Sequence, residues 1–350
     1  MLRQFRAASS PGRRDGTPYH LAMSFVAILV ALLLEQARPM ARGNPIHSLL
    51  RSWVRWAARS FDVGRPQQAS IAWGVAALFP SVVVLAIYWL LSQFAGWPLA
   101  VIWSASVLYV TLGFRQFSHH FTGIRNALEQ GDEELARRLL ADWQQLEPGA
   151  VPLAGVAGQA IEYSVIAAHR HVFGVIAWFS VLAALGLGPS GAVFYRLCEF
   201  VPRYWSHKSL VALQPISHAA QETAQSIWHV VDWLPARITA IAFAVVGSFE
   251  EAIDSWRTYE QRAGVSNDGV ILSATAGAIN LRVGPLWDGF PVADKPVADA
   301  PGDGSLPGPV NATAQIAQVG HLRTVVGLVW RTVLMWMILL FLLSLARLLG

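Results

Sequence analysis

Two stretches of this chain leave it almost no choice of solvent. Ile71–Phe94 contains no charged residue, and Val325–Leu345 contains one, Arg331. Each is long enough, as a helix, to cross a hydrocarbon core of about 30 Å. Backbone N–H and C=O groups cannot be hydrated there, so each run must close its own hydrogen bonds as an α-helix. The composition agrees: 14% of the 350 residues are charged, against about a quarter in soluble domains. That is too little charge to cover a soluble globule, whereas a protein with a lipid belt needs no such cover. The 15 Trp also suit membrane–water interfaces, where the indole ring and its N–H are both satisfied. The expected fold is all-α: a polytopic integral membrane helical protein with about five or six apolar segments.

The remaining segments are less clean. Ser24–Leu34 is short for a span and needs Leu21–Ala22 or a tilt to cross. Residues 36–68 hold six Arg against one Asp, with Trp53 and Trp56 interleaved, as on an amphipathic helix lying in the interface. After the turn at Gly96–Pro98, Leu99–Phe114 returns. Residues 115–160 read as a cytoplasmic helical insertion, with Gly131-Asp132-Glu133-Glu134 as a helix start. Val172–Leu187 is the fourth apolar run, Gly188–Phe200 a Gly/Pro-broken and re-entrant continuation, and Leu234–Phe249 a further run. Residues 285–322 read as a flexible linker rich in Pro, Gly, Asp and Ala, and 323–350 as a closing transmembrane helix. The positive-inside rule places 36–68 in the cytoplasm of a bacterial-type inner membrane, with 115–171 and 250–324 inside and 188–232 outside. It also puts the N-terminus outside. The four Arg of residues 1–22 oppose that, so these residues are either a disordered leader or lie ahead of a true start at Met23. The net charge of +4 is modest and sits beside apolar segments, which points to membrane lipids as partners and not to nucleic acid. The lone Cys198 excludes an internal disulfide and reads as a small core residue.

No P-loop, H-E-x-x-H, G-x-S-x-G or dinucleotide fingerprint is present. Candidates for function are therefore the ionisable residues placed at cost within or beside the apolar runs. Glu162, Tyr163, His169, Arg170 and His171 stand at the mouth of the fourth run. His169 and His171 point in different directions on a helix and make no metal pair; contact with lipid headgroups is the plainer account of the group. In Gly188–Arg196 the glycines around Pro189 allow close backbone approach, and Arg196 after Tyr195 suits a phosphate or carboxylate. Snorkelling of Arg196 at a helix break is the alternative. Asp232 reads as the cap of a helix whose first turn holds Pro235. Arg237 inside that run calls for Asp232, Glu162 or a ligand phosphate, and a buried ion pair explains it as well as a ligand does. Asp268 with Ser266 and Asn267 would suit a hydrated Mg²⁺ or, equally, a turn. The small residues of Ala276–Gly284 permit tight helix packing.

Three of these runs, Gly188–Arg196, Asp232–Ala240 and Ala276–Gly284, occur in an order that resembles the CobD/CbiB family of cobalamin-biosynthesis membrane proteins, a superfamily that includes AmpE-like members. The resemblance covers Met23–Gly284. It implies a membrane domain which, in the enzymatic branch, joins an aminopropanol unit to cobyric acid with ATP and Mg²⁺, giving adenosylcobinamide phosphate. Set against that pattern, Trp228 and His229 stand where the enzymes carry an acidic pair, and Asp232 stands at their Asn. The Ser-Pro-Asn-x-Gly element is reduced to Ser266-Asn267-Asp268-Gly269, and the early Gly-Asp-Pro and His-Pro elements to Glu35 and Asn44-Pro45-Ile46-His47. An indole and a neutral imidazole cannot replace carboxylates around a hard cation. The resemblance therefore implies a catalytically degenerate, AmpE-like sensing or regulatory member, with Arg196, Arg237 and Arg282 forming a cleft for a corrinoid or other anionic small molecule, and Tyr195, Glu162 and His169 beside it. If the chain is enzymatic, Asp232, Asp268 and Glu162 would take over the Mg²⁺ for ATP.

Overall fold

A computed structural model describes residues 19–37, 45–62, 64–144, 155–211, 216–261, 265–284 and 314–349. The leader residues 1–18 and most of the expected linker, 285–313, lie outside them. The chain is a bundle of helices: α1 (Tyr19–Ala37), α2 (Pro45–Phe61), α3 (Pro66–Phe94), α4 (Trp97–Thr111), α5 (Phe114–Glu129), α6 (Glu133–Gln144), α7 (Val156–Ala168), α8 (Gly174–Ala184), α9 (Ser190–Val211), α10 (His218–Val246), α11 (Phe249–Glu260), α12 (Asn267–Ile279) and α13 (Val319–Leu349). Four helical stretches are long and apolar enough to cross a membrane: Pro66–Phe94, Val156–Ala184, His218–Val246 and Val319–Ala346. Ser24–Ala37 and Trp97–Thr111 are shorter apolar helices. The architecture is that of an all-α polytopic membrane protein.

Helix α3 shows how a charge-free run is oriented. Ala69, Ala72, Ala76 and Ala77 are buried, while Ile71, Leu78, Val82 and Leu90 are exposed. The small residues let neighbouring helices approach closely, and the large side chains face outward where lipid covers them. Elsewhere Gly277 admits no side chain, because its Cβ position falls on the backbone of Glu251 and Ala252. That close approach is what the small residues of Ala276–Gly284 permit.

The second span departs from the sequence reading. Val156–Ala184 is one continuous helical stretch with a π-helical turn at His169–Phe173 in its middle. Glu162–His171 is thus not the mouth of the span but part of it. The polar side chains are tolerated because protein, not lipid, surrounds them; His169 is fully buried.

The third span departs in a similar way. Asp232 is not a cap but the central residue of the 29-residue helix α10, and Pro235 lies in its interior. The missing N–H of Pro235 strips the Val231 carbonyl of its in-helix donor, and the indole Nε1 of Trp178 on α8 donates to that carbonyl at 3.1 Å. Gly188–Phe200 is likewise no broken continuation: the chain turns through Leu185–Pro189, and Ser190 opens the new helix α9.

Within residues 115–160, the helix start expected at Gly131–Glu134 is present. Asp132 Oδ1 accepts from Leu135 N at 2.8 Å and starts α6, where Arg137 and Arg138 hold the Glu134 carboxyl below the usual carboxylate range. At the far end, Leu281–Arg282 (β1) pairs in parallel with Gln315–Ile316 (β2). Part of the expected linker is therefore a strand, and the closing helix begins at Val319.

Candidate functional site

Asp232, at the centre of α10, is almost fully buried and is met from two other helices. His169 Nε2 on the π turn lies 2.9 Å from Asp232 Oδ1, and the Tyr195 hydroxyl on α9 donates to the same oxygen at 2.8 Å. His169 Nδ1 lies 2.9 Å from Thr239 Oγ1, two turns further along α10. The π turn supplies this geometry: the extra residue rotates His169 and Arg170 relative to the helix on either side. Gly174, one turn later, leaves the space that the Tyr195 ring fills.

Arg170 continues the cluster towards α12. Its Nη2 donates to Asp268 Oδ2 at 2.6 Å, and its guanidinium lies 5.8 Å from the centre of the Trp228 ring. Asp268 belongs to the first turn of α12, whose start is capped by Ser266 accepting from Gly269 N at 3.0 Å. Asn267 Nδ2 donates to His229 O at 2.8 Å, and Asn267 Oδ1 accepts from Arg237 Nη1 at 3.1 Å. Arg237 lies over Trp233 at 4.3 Å and 3.7 Å from Glu260. Two arginines, each seated on a tryptophan, thus bracket the Asn267–Asp268 pair from either side. The acidic partner of Arg237 is Glu260, not Asp232 or Glu162, because α11 folds back beside α10.

The sequence candidates divide accordingly. His169, Tyr195, Asp232, Arg237 and Asp268 meet around this cluster, which therefore draws on all four polar segments. Arg196 turns instead to Glu199, at 3.1 Å, on its own helix. Arg282 donates to Ala314 O at 2.9 Å, and Glu162 accepts from Gly284 N at 2.6 Å, so both serve the β1 region. Arg196, Arg237 and Arg282 each have a different protein partner.

Two further residues emerge: Arg170, placed by the sequence reading among the polar candidates of the fourth run but not in the expected cleft, and Glu199, which it did not name. Arg170 is the link between Asp268 and Trp228. Glu199 is buried between Arg196 and Arg203, at 3.1 and 3.2 Å; the three- and four-residue spacing of these charges on one helix face was a readable signal for the second.

Chemically, the cluster holds its carboxylates by protein groups: Asp268 by Arg170, and Asp232 by His169 and Tyr195. Two buried atoms of the cluster have no hydrogen-bond partner, Asp232 Oδ2 and Arg170 Nε. Among the described residues no three His, Cys, Asp or Glu side chains gather as metal ligands would.

The family model for the CobD/CbiB protein matches residues 24–287. A protein of Chromobacterium violaceum named "Cobalamin biosynthesis protein CobD" is 30% identical over 196 residues, 54% of this chain and 60% of that protein. One of the same name from Stutzerimonas stutzeri is 27% identical over 327 residues, 90% of this chain and 96% of that protein. No solved structure matches. The match to the Chromobacterium protein leaves more than a third of that relative uncovered, whereas the Stutzerimonas protein is spanned nearly end to end. With the family model covering all four segments that build the cluster, the chain belongs to the CobD/CbiB family of cobalamin-biosynthesis proteins.

Proposed function

We propose that this chain serves the cobalamin pathway in the bacterial inner membrane as a binding and sensing member of its family, AmpE-like in role and without amide-forming catalysis of its own. The observation that carries this reading is the state of its two central carboxylates. Asp232 faces His169 at 2.9 Å and Asp268 faces Arg170 at 2.6 Å. A carboxylate already engaged by protein donors gains little from a divalent metal, and phosphoryl transfer from ATP depends on metal-bridged phosphates. The ligand on this reading is an anionic small molecule of the corrinoid pathway. Arg170 and Arg237, lying over Trp228 and Trp233, would grip it at the start of α12.

A second reading is favoured by a specific finding: both relatives carry the name of the biosynthetic protein, and one aligns along nearly the whole chain. On it the chain is a working adenosylcobinamide-phosphate synthase that displaces the internal partners of these carboxylates when Mg²⁺–ATP binds. Complementation separates the two. In a strain that cannot join the aminopropanol unit to cobyric acid, this chain, expressed and membrane-inserted, is expected to leave growth dependent on supplied cobalamin. The Stutzerimonas relative serves as the control. Growth restored by the wild type and lost in Asp232→Asn would establish the synthase.

A further inference from the structure

Helix α13 is longer than the membrane it crosses. Its 31 residues extend about 46 Å as an α-helix, against a hydrocarbon core of about 30 Å. Even steeply tilted, it leaves part of its length outside the hydrocarbon.

Its outward face shows which part. Leu322, Val325, Val329 and Val333 are buried against the bundle. On the opposite side of a helix with 3.6 residues per turn lie Gly320, Thr324, Gly327, Arg331, Leu334 and Ile338. That stripe changes character at Arg331. Two glycines and a threonine precede it, and exposed leucine and isoleucine follow. Among residues 319–329 no large apolar side chain is exposed; Trp330, which suits an interface, is the first.

Arg331 is exposed, and its Nε donates to Gly327 O at 3.2 Å, which draws the guanidinium towards the start of the helix. Arg323, two turns earlier, has Glu129 at 2.8 Å. Among the described residues no carboxylate pairs with Arg331. A Cβ at Gly327 would meet nothing within 4 Å, so the space beside the guanidinium is open to a guest. With Val319–Ala346 centred in the bilayer, this charge would stand unanswered near mid-depth, a costly position. A second copy packed along the stripe about a twofold axis normal to the membrane would set Arg331 beside its own counterpart, like against like.

We propose that α13 enters the hydrocarbon at Arg331, where the guanidinium holds a phospholipid phosphate, and that residues 319–329 stand among headgroups and in water. A phosphate supplies the missing anion in a geometry that guanidinium donors match. From Trp330 to the end of the helix at Leu349 about 20 residues remain, or about 30 Å, the thickness of the core. The exposed Arg323–Glu129 pair then lies in water and clips α5 to the projecting end of α13.

Spin labels read the boundary directly. They are placed one at a time through Thr324→Cys, Gly327→Cys, Leu334→Cys or Ile338→Cys in a Cys198→Ala background, in vesicles of equal phosphatidylglycerol and phosphatidylcholine. Collisions with oxygen, which concentrates in hydrocarbon, are compared with those of a water-soluble nickel chelate. Nickel is expected to dominate at residue 324 and oxygen at 334 and 338. With Arg331→Leu the crossover should move about one turn, about 5 Å, towards residue 324. With Arg323→Gln, an equal change of charge, it should stay in place. In vesicles of digalactosyldiacylglycerol, which lacks phosphate, the wild type should shift as Arg331→Leu does, and added inorganic phosphate should not reverse the shift. Oxygen dominating at residue 324 in the wild type, a crossover unmoved by Arg331→Leu or by the glycolipid, an equal shift from Arg323→Gln, or reversal by inorganic phosphate would each overturn the proposal.

Discussion

The proline at the heart of α10 allows an unusually direct test of how this bundle is held together. Pro235 cannot donate to the Val231 carbonyl, and Trp178 Nε1 does so instead at 3.1 Å. Trp178→Phe keeps an aromatic ring against Phe194, which it meets edge-on with centroids 5.4 Å apart, but removes the donor. An orphaned buried carbonyl costs about 1–3 kcal/mol, and side-chain hydrogen bonds between membrane helices average nearer 0.6 kcal/mol. A loss of about 1–2 kcal/mol is therefore expected. Pro235→Ala restores the in-helix donor, so in that background Trp178→Phe should cost markedly less, leaving a coupling of about 1 kcal/mol. The assay is reversible unfolding in mixed micelles of a mild detergent and SDS, followed by far-UV circular dichroism, for both single variants and the double. A Trp178→Phe cost that is the same beside proline and beside alanine would refute the assignment of Trp178 as the substitute donor.

Three further outcomes follow from the same geometry. Asp232→Ala strands both His169 and Tyr195 in a buried setting and should cost about 3–5 kcal/mol in that unfolding assay; the triple change with His169→Leu and Tyr195→Phe should cost less than the sum of its parts, and strict additivity would dissolve the network. Gly174→Ala pushes a methyl into the ring of Tyr195 and should destabilise by about 1–3 kcal/mol, an effect relieved when Tyr195 is shortened to Leu. Cys198 is fully buried, so a maleimide should label the protein only after denaturation; rapid labelling of the folded protein would place α9 differently.

What could be read from sequence, and what could not, follows the range of the interactions. Helices α3 and α13 were plain because a run without charge has one stable form in a bilayer. The start of α6 was plain because Asp132 and the Leu135 N–H it accepts from lie three residues apart. The span Val156–Ala184 was obscured by Glu162, His169, Arg170 and His171. What makes His169 and Arg170 acceptable at depth lies 63 and 98 residues away, in Asp232 and Asp268, and Glu162 answers to Gly284 N, 122 residues on. Pro235 looked like a helix start for a related reason: the group that lets the helix continue through it is an indole 53 residues before Val231. The site was visible as a set of costly polar residues, so Tyr195, His169, Asp232, Arg237 and Asp268 could be singled out. Their pairing is tertiary, and with it the division that sends Arg196 to Glu199 and Arg282 to Ala314.

Asp232, through Oδ1, and Asp268, through Oδ2, are held from within the chain by His169 and Tyr195 and by Arg170. Electron paramagnetic resonance of Mn²⁺, standing in for Mg²⁺, measures this in the purified protein, with and without a non-hydrolysable ATP analogue. Mn²⁺ is expected to remain free in both conditions, at metal concentrations where a catalytic site would be filled. One bound Mn²⁺ per chain, abolished by Asp232→Asn or Asp268→Asn, would contradict the account and return the chain to its enzymatic relatives.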